Sequence, residues 1–295
     1  MNVLVTGSNG QLGNEMQRLG KKSPNRYIFS DIIKLEGCEN AIQLDITNLT
    51  ELRRIVKEEG IEVIVNCAAY TNVEKAEDDY KTADLINHTA TSYLAEVCKE
   101  VNATLIHVST DYVFGGDAHT PYKEEQSTNP LGVYGKTKYD GEQSILSSGC
   151  KYIILRTAWL YSSFGGNFVK TMMKLTKEKE ELKVVFDQVG TPTFAGDLAN
   201  AIFQIVEGKL FVGKEGIYHY TNEGMCSWYD FAVEICDLCH HSCSISPCHT
   251  EEFPTRAKRP HFSVLDKSKF KKTFNLSIPH WKKSLRVCIE ELQSK

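Results

Sequence analysis

A tyrosine and a lysine four residues apart, Tyr134 and Lys138, are the residues of this sequence best suited to proton chemistry. On a helix, positions i and i+4 lie on the same face, so the phenol and the ammonium would be neighbours. A cation beside a phenol lowers the pKa of that phenol, which eases proton exchange with a carbonyl oxygen. Lys136 lies only two positions after Tyr134 and would face another side of the helix. The spacing therefore predicts Tyr134 as the acid or base and Lys138 as its partner.

Hydroxyl side chains end an apolar run upstream of this pair, at Ser109 and Thr110. In a parallel α/β sheet, ligands bind at the carboxyl ends of the strands. A Tyr-x-x-x-Lys spacing often arises by chance, so this strand end carries much of the interpretation. A hydroxyl there can hydrogen-bond a substrate oxygen beside the tyrosine. We therefore predict Thr110, Tyr134 and Lys138 as the catalytic residues.

Three glycines at three-residue spacing, Gly7, Gly10 and Gly13, follow the first apolar run and open a helical pattern. Glycine lets the backbone turn sharply and approach a pyrophosphate, and a helix N-terminus offers free N–H groups and a positive dipole end. Their position between a strand and a helix predicts the phosphate-binding turn of a nicotinamide dinucleotide site. Gln11 and Leu12, within the turn, are expected to contact the same cofactor.

Further cofactor contacts are expected where the next strands end. Asp31 ends the second strand, where a carboxylate accepts hydrogen bonds from a ribose 2′-hydroxyl and repels a 2′-phosphate. This favours NADH, but Lys34 lies nearby, so both NADPH and NADH stay open. The remaining predicted contacts follow the third and fourth strands: Asp45 and Ile46 around the adenine, and Ala68, Ala69 and Tyr70 beside the second ribose.

The elements that must position these residues alternate along the first half of the chain. Apolar runs predict strands near residues 2–6, 26–31, 41–45, 63–67, 104–109 and 152–157. Helical patterns separate them near residues 13–20, 50–59 and 83–101. Strands that alternate with helices pair in parallel through right-handed crossovers. The predicted fold class is α/β, a Rossmann-type doubly wound parallel sheet.

The second half of the chain is less regular and predicts a smaller, C-terminal substrate-binding lobe. Helices are expected near residues 168–179, 197–206 and 228–238, and strands near 184–186 and 216–220. We assign residues 1–160 to the NAD(P)-binding domain, with a return segment near 187–222. Residues 161–295 belong mainly to the substrate-binding lobe.

Composition and charge exclude several classes of partner. The 295 residues carry a formal net charge of -4 with no dominant basic stripe, so no nucleic-acid partner is expected. No apolar run reaches the roughly 20 residues that span a bilayer, and the first residues lack the pattern of a signal peptide. We therefore expect a cytoplasmic protein that does not bind membranes.

One cluster of thiols and imidazoles is a candidate zinc site. It comprises Cys236, Cys239, Cys243 and Cys248 together with His240, His241 and His249. Sulfur and imidazole ligands suit zinc, but the chain offers only one Cys-x-x-Cys here and no matching second pair. Three-residue spacing also places Cys236 and Cys239 on one apolar helix face. We favour incidental thiols in a core and predict no metal ligand.

Taken together, these motifs resemble the extended short-chain dehydrogenase/reductase superfamily and, within it, the dTDP-4-dehydrorhamnose reductase family. The most similar stretches are residues 6–13, 65–77, 108–116, 130–138, 156–161, 166–172 and 187–193, with a weaker return at 257–260. The resemblance implies hydride transfer from NADPH or NADH to C4 of dTDP-4-dehydro-L-rhamnose, which gives dTDP-L-rhamnose. The implied partner is therefore a nucleotide sugar.

The resemblance also implies roles for single residues. Tyr134 would donate the proton, Lys138 would orient it and the ribose, and Asn87 would hold a structural water near Lys138. The implied substrate contacts are Thr110, Asp111, Tyr112 and Trp159 at the sugar, and Asn167 and Arg259 at the diphosphate.

One departure from the family concerns metal and oligomer. Some members dimerise through Mg²⁺ held by carboxylates, one of which matches Glu15. A second carboxylate is expected just after Pro192-Thr193, where this chain has Gly196. The departure argues against Mg²⁺ and leaves a monomer or a homodimer open. Glu15 is then better explained as a first-turn acid that complements the helix dipole.

Two alternative functions stay open. One is another nucleotide-sugar reductase or epimerase; a dehydratase is less well supported because Tyr112 stands where an extra acid is needed. The other is a dinucleotide-binding regulatory subunit, since a relative in the superfamily regulates methionine adenosyltransferase. The intact Thr110, Tyr134 and Lys138 favour catalysis over regulation.

Overall fold

The structure is a computed structural model, and it describes residues 1–38 and 40–294. The strands are β1 Asn2–Thr6, β2 Arg26–Asp31, β3 Ala41–Gln43, β4 Val63–Asn66, β5 Thr104–Thr110, β6 Lys151–Thr157, β7 Leu160–Tyr161, β8 Glu181–Val185, β9 Val189–Gly190, β10 Thr193–Phe194, β11 Gly216–His219, β12 Cys226–Ser227 and β13 Ser244–Cys248. The helices are α1 Gln11–Gly20, α2 Leu49–Glu58, α3 Val73–Ala76, α4 Tyr80–Asp84, α5 Ala90–Val101, α6 Val133–Ser148, α7 Phe168–Glu178, α8 Ala195–Glu207, α9 Trp228–Leu238, α10 Ser268–Phe274 and α11 Trp281–Gln293.

A seven-stranded sheet in the order β3-β2-β1-β4-β5-β6-β11 forms the centre of the protein. All of its strand pairs are parallel. The strand order reverses direction between β1 and β4, and ligands of such sheets bind at the carboxyl ends beside that point. The predicted doubly wound α/β fold is confirmed.

Helices cover both faces of the sheet, which explains why the middle residues of β1, β4 and β6 are apolar. On β1, Val3 and Val5 enter the core on one face, with side chains of α1, α8 and α10. Leu4, between them, enters the core on the other face, with side chains of α2, α5 and α6. Because successive side chains of a strand alternate, each face receives its own hydrophobic layer.

The second lobe has a separate aromatic core. Tyr161, Phe231 and Trp281 pack there with side chains of α7, α9 and α11. Small strand pairs, β13 with β8 and β12 with β9, complete this lobe. Between its parts the chain returns to the large sheet through α8 and β11, which lies at the sheet edge beside β6.

The helix expected near residues 83–101 is interrupted. A π-helical turn, Leu85–Thr89, joins α4 to α5. Within it the Asn87 carbonyl accepts a bond from the Thr91 hydroxyl (2.8 Å), and a Cβ atom at Gly141 of α6 would lie 2.3 Å from the same oxygen. Close approach of α6 therefore accompanies this distortion, and periodicity along one helix cannot reveal it.

Among residues 1–38 and 40–294, no helix is both long enough and apolar enough to cross a membrane.

Candidate active site

A cavity of about 720 Å³ opens at the carboxyl ends of the large sheet and extends to the second lobe. Most of the predicted site residues line it: Gly7, Gly10, Gln11, Leu12, Asp31, Asp45, Ile46, Ala68, Ala69, Thr110, Asp111, Tyr112, Tyr134, Lys138, Trp159, Asn167 and Arg259. The cofactor half lies over β1, β2 and β4, and the other half lies between β5 and the second lobe. One cavity thus joins the predicted dinucleotide and substrate contacts.

The glycine turn has the shape that a dinucleotide requires. Gly7 has φ +65, and a Cβ there would lie 2.5 Å from the backbone nitrogen of Ala68. At Gly10 a Cβ would contact only the Gly7 carbonyl, at 3.2 Å, and would otherwise project into the cavity. The fold therefore excludes a side chain at Gly7, and Gly10 leaves the cavity side of the turn open, so backbone N–H groups can reach a pyrophosphate at the start of α1. These residues fit the predicted cofactor.

Two predicted cofactor contacts do not line the cavity. Gly13 lies behind the turn, where a Cβ would stand 2.3 Å from the Gly7 carbonyl, so it serves the packing of α1 against the turn. Tyr70 is held by Asn87, whose amide accepts from the Tyr70 N–H (2.8 Å) and donates to the Tyr70 carbonyl (3.1 Å). Asn87 also donates to the Thr137 hydroxyl (3.2 Å), so this buried amide joins the loop after β4 to α6.

Acidic side chains line the end of the cavity where the adenosine is predicted to bind. Asp31 accepts a hydrogen bond from the backbone N–H of Asn9 (2.9 Å), which ties the end of β2 to the glycine turn. Asp45 accepts from both the N–H and the hydroxyl of Thr47, at 2.9 and 2.7 Å. Both carboxylates are therefore fixed in place by their neighbours, and each has lone pairs left for a ligand.

Lys138 projects from α6 to the end of β5 and is buried, with 2% of its surface exposed. Its Nζ donates to the Val108 carbonyl (2.7 Å) and lies 3.2 Å from Nε2 of His107. Burial lowers the pKa of Lys138 to about 8, against opposing effects of Glu142 and Cys67. The amine therefore titrates close to neutral pH.

Tyr134 stands one helical turn before Lys138 and packs edge-on against Tyr112, with ring centroids 5.6 Å apart. Burial raises the pKa of Tyr134 to about 12, while a hydrogen bond with Thr110 opposes the rise. The lowered phenol pKa that the Tyr-x-x-x-Lys spacing predicted is therefore wrong for the free protein. Desolvation of the phenolate is the largest effect and outweighs the hydrogen bond with Thr110, so the phenol holds its proton at neutral pH.

Buried polar atoms without partners point to a polar ligand at the end of β5. Among the described residues, neither the Ser109 hydroxyl nor Oδ2 of Asp111 has a hydrogen-bond partner. Burial raises the pKa of Asp111 to about 6, although the nearby Ser263 and Thr110 hydroxyls lower it. Such groups cost stability unless a ligand satisfies them. Ser109 was not among the predicted site residues; its neighbour Thr110 drew the prediction.

An aromatic pair forms the second-lobe wall of the cavity. The rings of Trp159 and Trp228 are stacked, with centroids 3.5 Å apart and planes 9° from parallel. Trp159 has φ +48, which is rare for a bulky residue and is found where a fold holds a side chain against strain. Trp228, at the start of α9, lines the cavity without having been predicted. No spacing in the sequence connects it to Trp159.

The two residues implied at the diphosphate differ in availability. The Asn167 amide donates to Gln11 (2.9 Å) and to the Ser162 carbonyl (2.8 Å), and its oxygen caps α7 through the N–H of Lys170. Its side chain therefore links the two lobes. Arg259 pairs with Glu74 (2.9 Å) and keeps a buried Nε without a partner among the described residues.

Glu15 is the fifth residue of α1 and lies beyond its first turn, so its explanation as a first-turn acid is wrong; it is buried, with 4% of its surface exposed. Arg18 contacts it at 3.1 Å and also pairs with Glu291 of α11 at 2.9 Å. Burial raises the pKa of Glu15, which Arg18 opposes. The residues here do not form the expected Mg²⁺ site, because Arg18 already binds one oxygen each of Glu15 and Glu291 and Gly196 has no side chain to supply a ligand.

The thiol and imidazole cluster does not bring three possible ligand atoms together among the described residues. The group of side chains that does so lies elsewhere, at Asp84, His88 and Asp140. Cys236 donates to the backbone carbonyls of His241 and Cys243, and Nδ1 of His241 lies 2.8 Å from the Thr176 hydroxyl. These groups are occupied by local contacts within the second lobe.

Fold and site together define a nicotinamide-dependent oxidoreductase of the short-chain dehydrogenase/reductase type. The family model for the RmlD substrate binding domain matches residues 1–294. The chain belongs to this family, that of the dTDP-4-dehydrorhamnose reductases.

Curated and solved relatives agree with this assignment. A dTDP-4-dehydrorhamnose reductase of Aggregatibacter actinomycetemcomitans is 41% identical over 96% of this chain and 97% of its own length. The solved dTDP-4-dehydrorhamnose reductase of Clostridium acetobutylicum is 43% identical, has a TM-score of 0.92 and covers 99% of this chain, which covers all of it. That of Bacillus anthracis, solved in complex with NADP, is 36% identical with a TM-score of 0.87, and the match covers 98% and 99% of the two chains.

Proposed function

We propose that this protein reduces the C4 keto group of dTDP-4-dehydro-L-rhamnose, with NADH or NADPH as the reductant, and so forms dTDP-L-rhamnose. The observation that carries the proposal is the meeting of Thr110, Tyr134 and Lys138 in the cavity that also contains the glycine turn. The family assignment supplies the substrate.

In this reaction the dinucleotide supplies the hydride, and the chain supplies the proton and the geometry. Tyr134 keeps its proton at neutral pH and gives it to the carbonyl oxygen as negative charge develops there. Thr110, which now donates to Asp111 (3.0 Å), lies beside the phenol and holds the same oxygen. Lys138 fixes the ribose and stabilises the phenolate that remains.

The rest of the cavity holds the nucleotide sugar. The stacked Trp159 and Trp228 offer an aromatic wall for the apolar face of a deoxysugar. Ser109 and Asp111 offer unpaired polar atoms for sugar hydroxyls. Arg259 supplies positive charge for the diphosphate, where a guanidinium can form paired hydrogen bonds.

Turnover of the keto sugar tests this proposal. The purified protein is mixed with dTDP-4-dehydrorhamnose and NADH or NADPH, and dinucleotide oxidation is followed. We expect Tyr134→Phe to lower kcat by about two to four orders of magnitude, since a general acid is lost, while dinucleotide affinity stays unchanged. Tyr139→Phe, on the same helix but outside the cavity lining, is the matched control and should retain the wild-type rate.

Absence of turnover with tight dinucleotide binding would instead support a regulatory subunit. Exchange at C3 or C5 of a nucleotide sugar without net dinucleotide oxidation would support an epimerase.

We also propose that NADH serves at least as well as NADPH. Asp31 lines the adenosine end of the cavity with its carboxylate fixed by the Asn9 N–H, so a 2′-phosphate would meet a fixed negative charge. Asp31→Asn keeps the shape and removes the charge. We expect it to raise the kcat/KM ratio of NADPH over NADH by about tenfold, which corresponds to about 1.4 kcal/mol. An unchanged ratio would contradict this role of Asp31.

The cellular compartment and the oligomeric state are further parts of this proposal. A cytoplasmic location and a monomeric or homodimeric state are expected, without a magnesium bridge through Glu15. Fractionation of cells and light scattering of the purified protein, with and without a chelator, would test them.

A further inference from the structure

His107 is a buried titratable residue with no role in the reaction described so far. It lies on β5, two residues before Ser109, with none of its surface exposed. Its Nδ1 lies 3.0 Å from Nδ2 of Asn66, and its Nε2 lies 3.2 Å from Nζ of Lys138. The imidazole therefore bridges the end of β4 and the catalytic lysine.

The hydrogen bonds of Asn66 fix which of its atoms faces the imidazole. Its Oδ1 accepts from the Thr6 hydroxyl (2.6 Å) and from the backbone N–H of Ala68 (3.2 Å). A backbone N–H can only donate, so the oxygen of the amide must stand there. The amide nitrogen then faces His107 and donates to Nδ1.

This contact decides the tautomer of the imidazole. Burial lowers the pKa of His107 well below its usual value, so the ring is neutral. A neutral ring that accepts at Nδ1 carries its proton at Nε2. That N–H points at Nζ of Lys138. An ammonium has three donors and no lone pair, whereas a neutral amine can accept this bond and still donate to the Val108 carbonyl.

The other groups around Nζ do not overturn this arrangement. Glu142, on the same helix, is bound by both guanidinium nitrogens of Arg156 at 2.9 and 2.6 Å. Burial raises the pKa of the Cys67 thiol to about 12, so it is neutral. Tyr134 is also protonated at neutral pH. The negative charge of Glu142 near Nζ is therefore already paired with Arg156.

We propose that His107 is a positioning residue for Lys138: through the relay Thr6–Asn66–His107 it holds Nζ in place and stabilises the neutral amine relative to the ammonium in the free protein. Its consequence for catalysis rests on the proposed function. With the pKa of Lys138 at about 8, the ammonium still predominates at neutral pH and stabilises the Tyr134 phenolate left after proton donation, and the relay sets the pH above which that ammonium is lost.

Titration of Lys138 in the ligand-free protein tests the relay without any assay of activity. Lysine labelled with ¹³C at Cε is followed by NMR as the pH changes, and Lys138→Met assigns the signal. We expect His107→Leu to raise the pKa of Lys138 by about half to one unit, because the neutral amine loses a donor. His107→Gln, whose amide nitrogen can replace Nε2–H, should restore most of the wild-type value.

The other buried histidine of the large sheet gives a matched control. His219, on β11, has none of its surface exposed, and its Nδ1 lies 3.1 Å from the Tyr122 carbonyl oxygen. We expect His219→Leu to lose stability as His107→Leu does but to leave the Lys138 titration unchanged. A lower or unchanged Lys138 pKa in folded His107→Leu would overturn the proposal.

Reversing the relay is a second test that preserves the packing. In Asn66→Asp the carboxylate still accepts from Thr6 and Ala68, but it must receive a proton from Nδ1 of His107. The ring then turns its Nε2 lone pair to Lys138 and favours the ammonium. We expect the ¹⁵N spectrum of His107 to change tautomer and the pKa of Lys138 to rise by about one unit. An Nδ1–H tautomer already present in the wild type would contradict the relay.

Kinetics then separate positioning from a structural role. If Lys138 acts as proposed, the basic limb of the kcat/KM profile should move to higher pH in His107→Leu and Asn66→Asp and stay in place in His107→Gln. A uniform loss of rate with an unmoved limb would show a structural effect alone.

Discussion

A pair of alanine substitutions separates the two tasks of the glycine turn. At Gly13 a new Cβ would stand 2.3 Å from the Gly7 carbonyl and 2.4 Å from Cα of Ser8. Both neighbours are backbone, so neither can rotate away. At Gly10 the new Cβ would meet only the Gly7 carbonyl, at 3.2 Å, and would otherwise enter the cavity. Gly13→Ala should therefore damage the fold, and Gly10→Ala should damage ligand binding.

The magnitudes follow from these contacts. Overpacking of this kind costs about 1–3 kcal/mol, and the helix propensity of alanine returns only about 1 kcal/mol of it. Contact with backbone atoms places Gly13→Ala at the upper end, so we expect a net loss of about 2 kcal/mol in the free energy of unfolding. Gly10 has φ -74 and ψ 177, which alanine adopts freely, so Gly10→Ala should lose less than about 1 kcal/mol. Its Cβ occupies the approach of the pyrophosphate, and NADH should bind at least about tenfold more weakly.

Urea unfolding and calorimetric titration with NADH measure the two effects on the same samples. The reasoning fails if Gly13→Ala unfolds like the wild type, or if Gly10→Ala binds NADH normally. A large loss of stability in Gly10→Ala would also refute it, because that outcome would place Gly10 in the packed interior.

Two further predictions concern buried charges. The raised pKa of Asp111, about 6 against 3.8, means that the folded protein holds this proton more tightly than the unfolded chain; stability should therefore fall by about 3 kcal/mol as the pH rises from about 4 to about 6. Asp111→Asn should remove this fall and raise the Tm at neutral pH, as thermal unfolding at several pH values would show; equal pH dependence in both proteins would contradict it. Glu142→Gln should cost about 3–5 kcal/mol, because Arg156 would stay buried without its counter-ion; urea unfolding with a loss below 1 kcal/mol would show that the pair contributes little.

The fold could be predicted from the sequence because its signals are local. Each strand of the large sheet up to β6 is an apolar run, and the helices between them keep one apolar face, so alternation alone indicates parallel pairing. The π-helical turn at Leu85–Thr89 could not be predicted, since it depends on how closely Gly141 lets another helix approach. Contacts between distant segments leave no period in either segment.

The features of the site also divide into those that local sequence signals predict and those that depend on distant segments. The meeting of Gly7, Thr110, Tyr134 and Lys138 in one cavity could be predicted because turn geometry and strand ends constrain residue type at fixed spacings. The electrostatics of the site could not be predicted in this way. The i+4 spacing predicts a lowered pKa for the phenol of Tyr134, whereas its burial in the cavity raises that pKa. Glu15 was explained by the helix dipole because the contact of Arg18 with Glu291 on α11 joins segments that are far apart in sequence.

The loss of stability from buried polar residues at the end of β5 has one common explanation. His107, Ser109, Thr110 and Asp111 are buried polar residues at the end of one strand, and two of them keep polar atoms without partners. A strand in this position would be more stable with apolar residues, as the loss assigned to Asp111 above indicates. The sheet can carry this cost because both of its faces are covered by continuous hydrophobic layers. A bound nucleotide sugar would supply the missing partners, so binding should return part of the lost stability. The Tm of the wild type should therefore rise more than that of Asp111→Asn when dTDP-L-rhamnose is added at equal saturation, and an equal rise would separate Asp111 from the sugar.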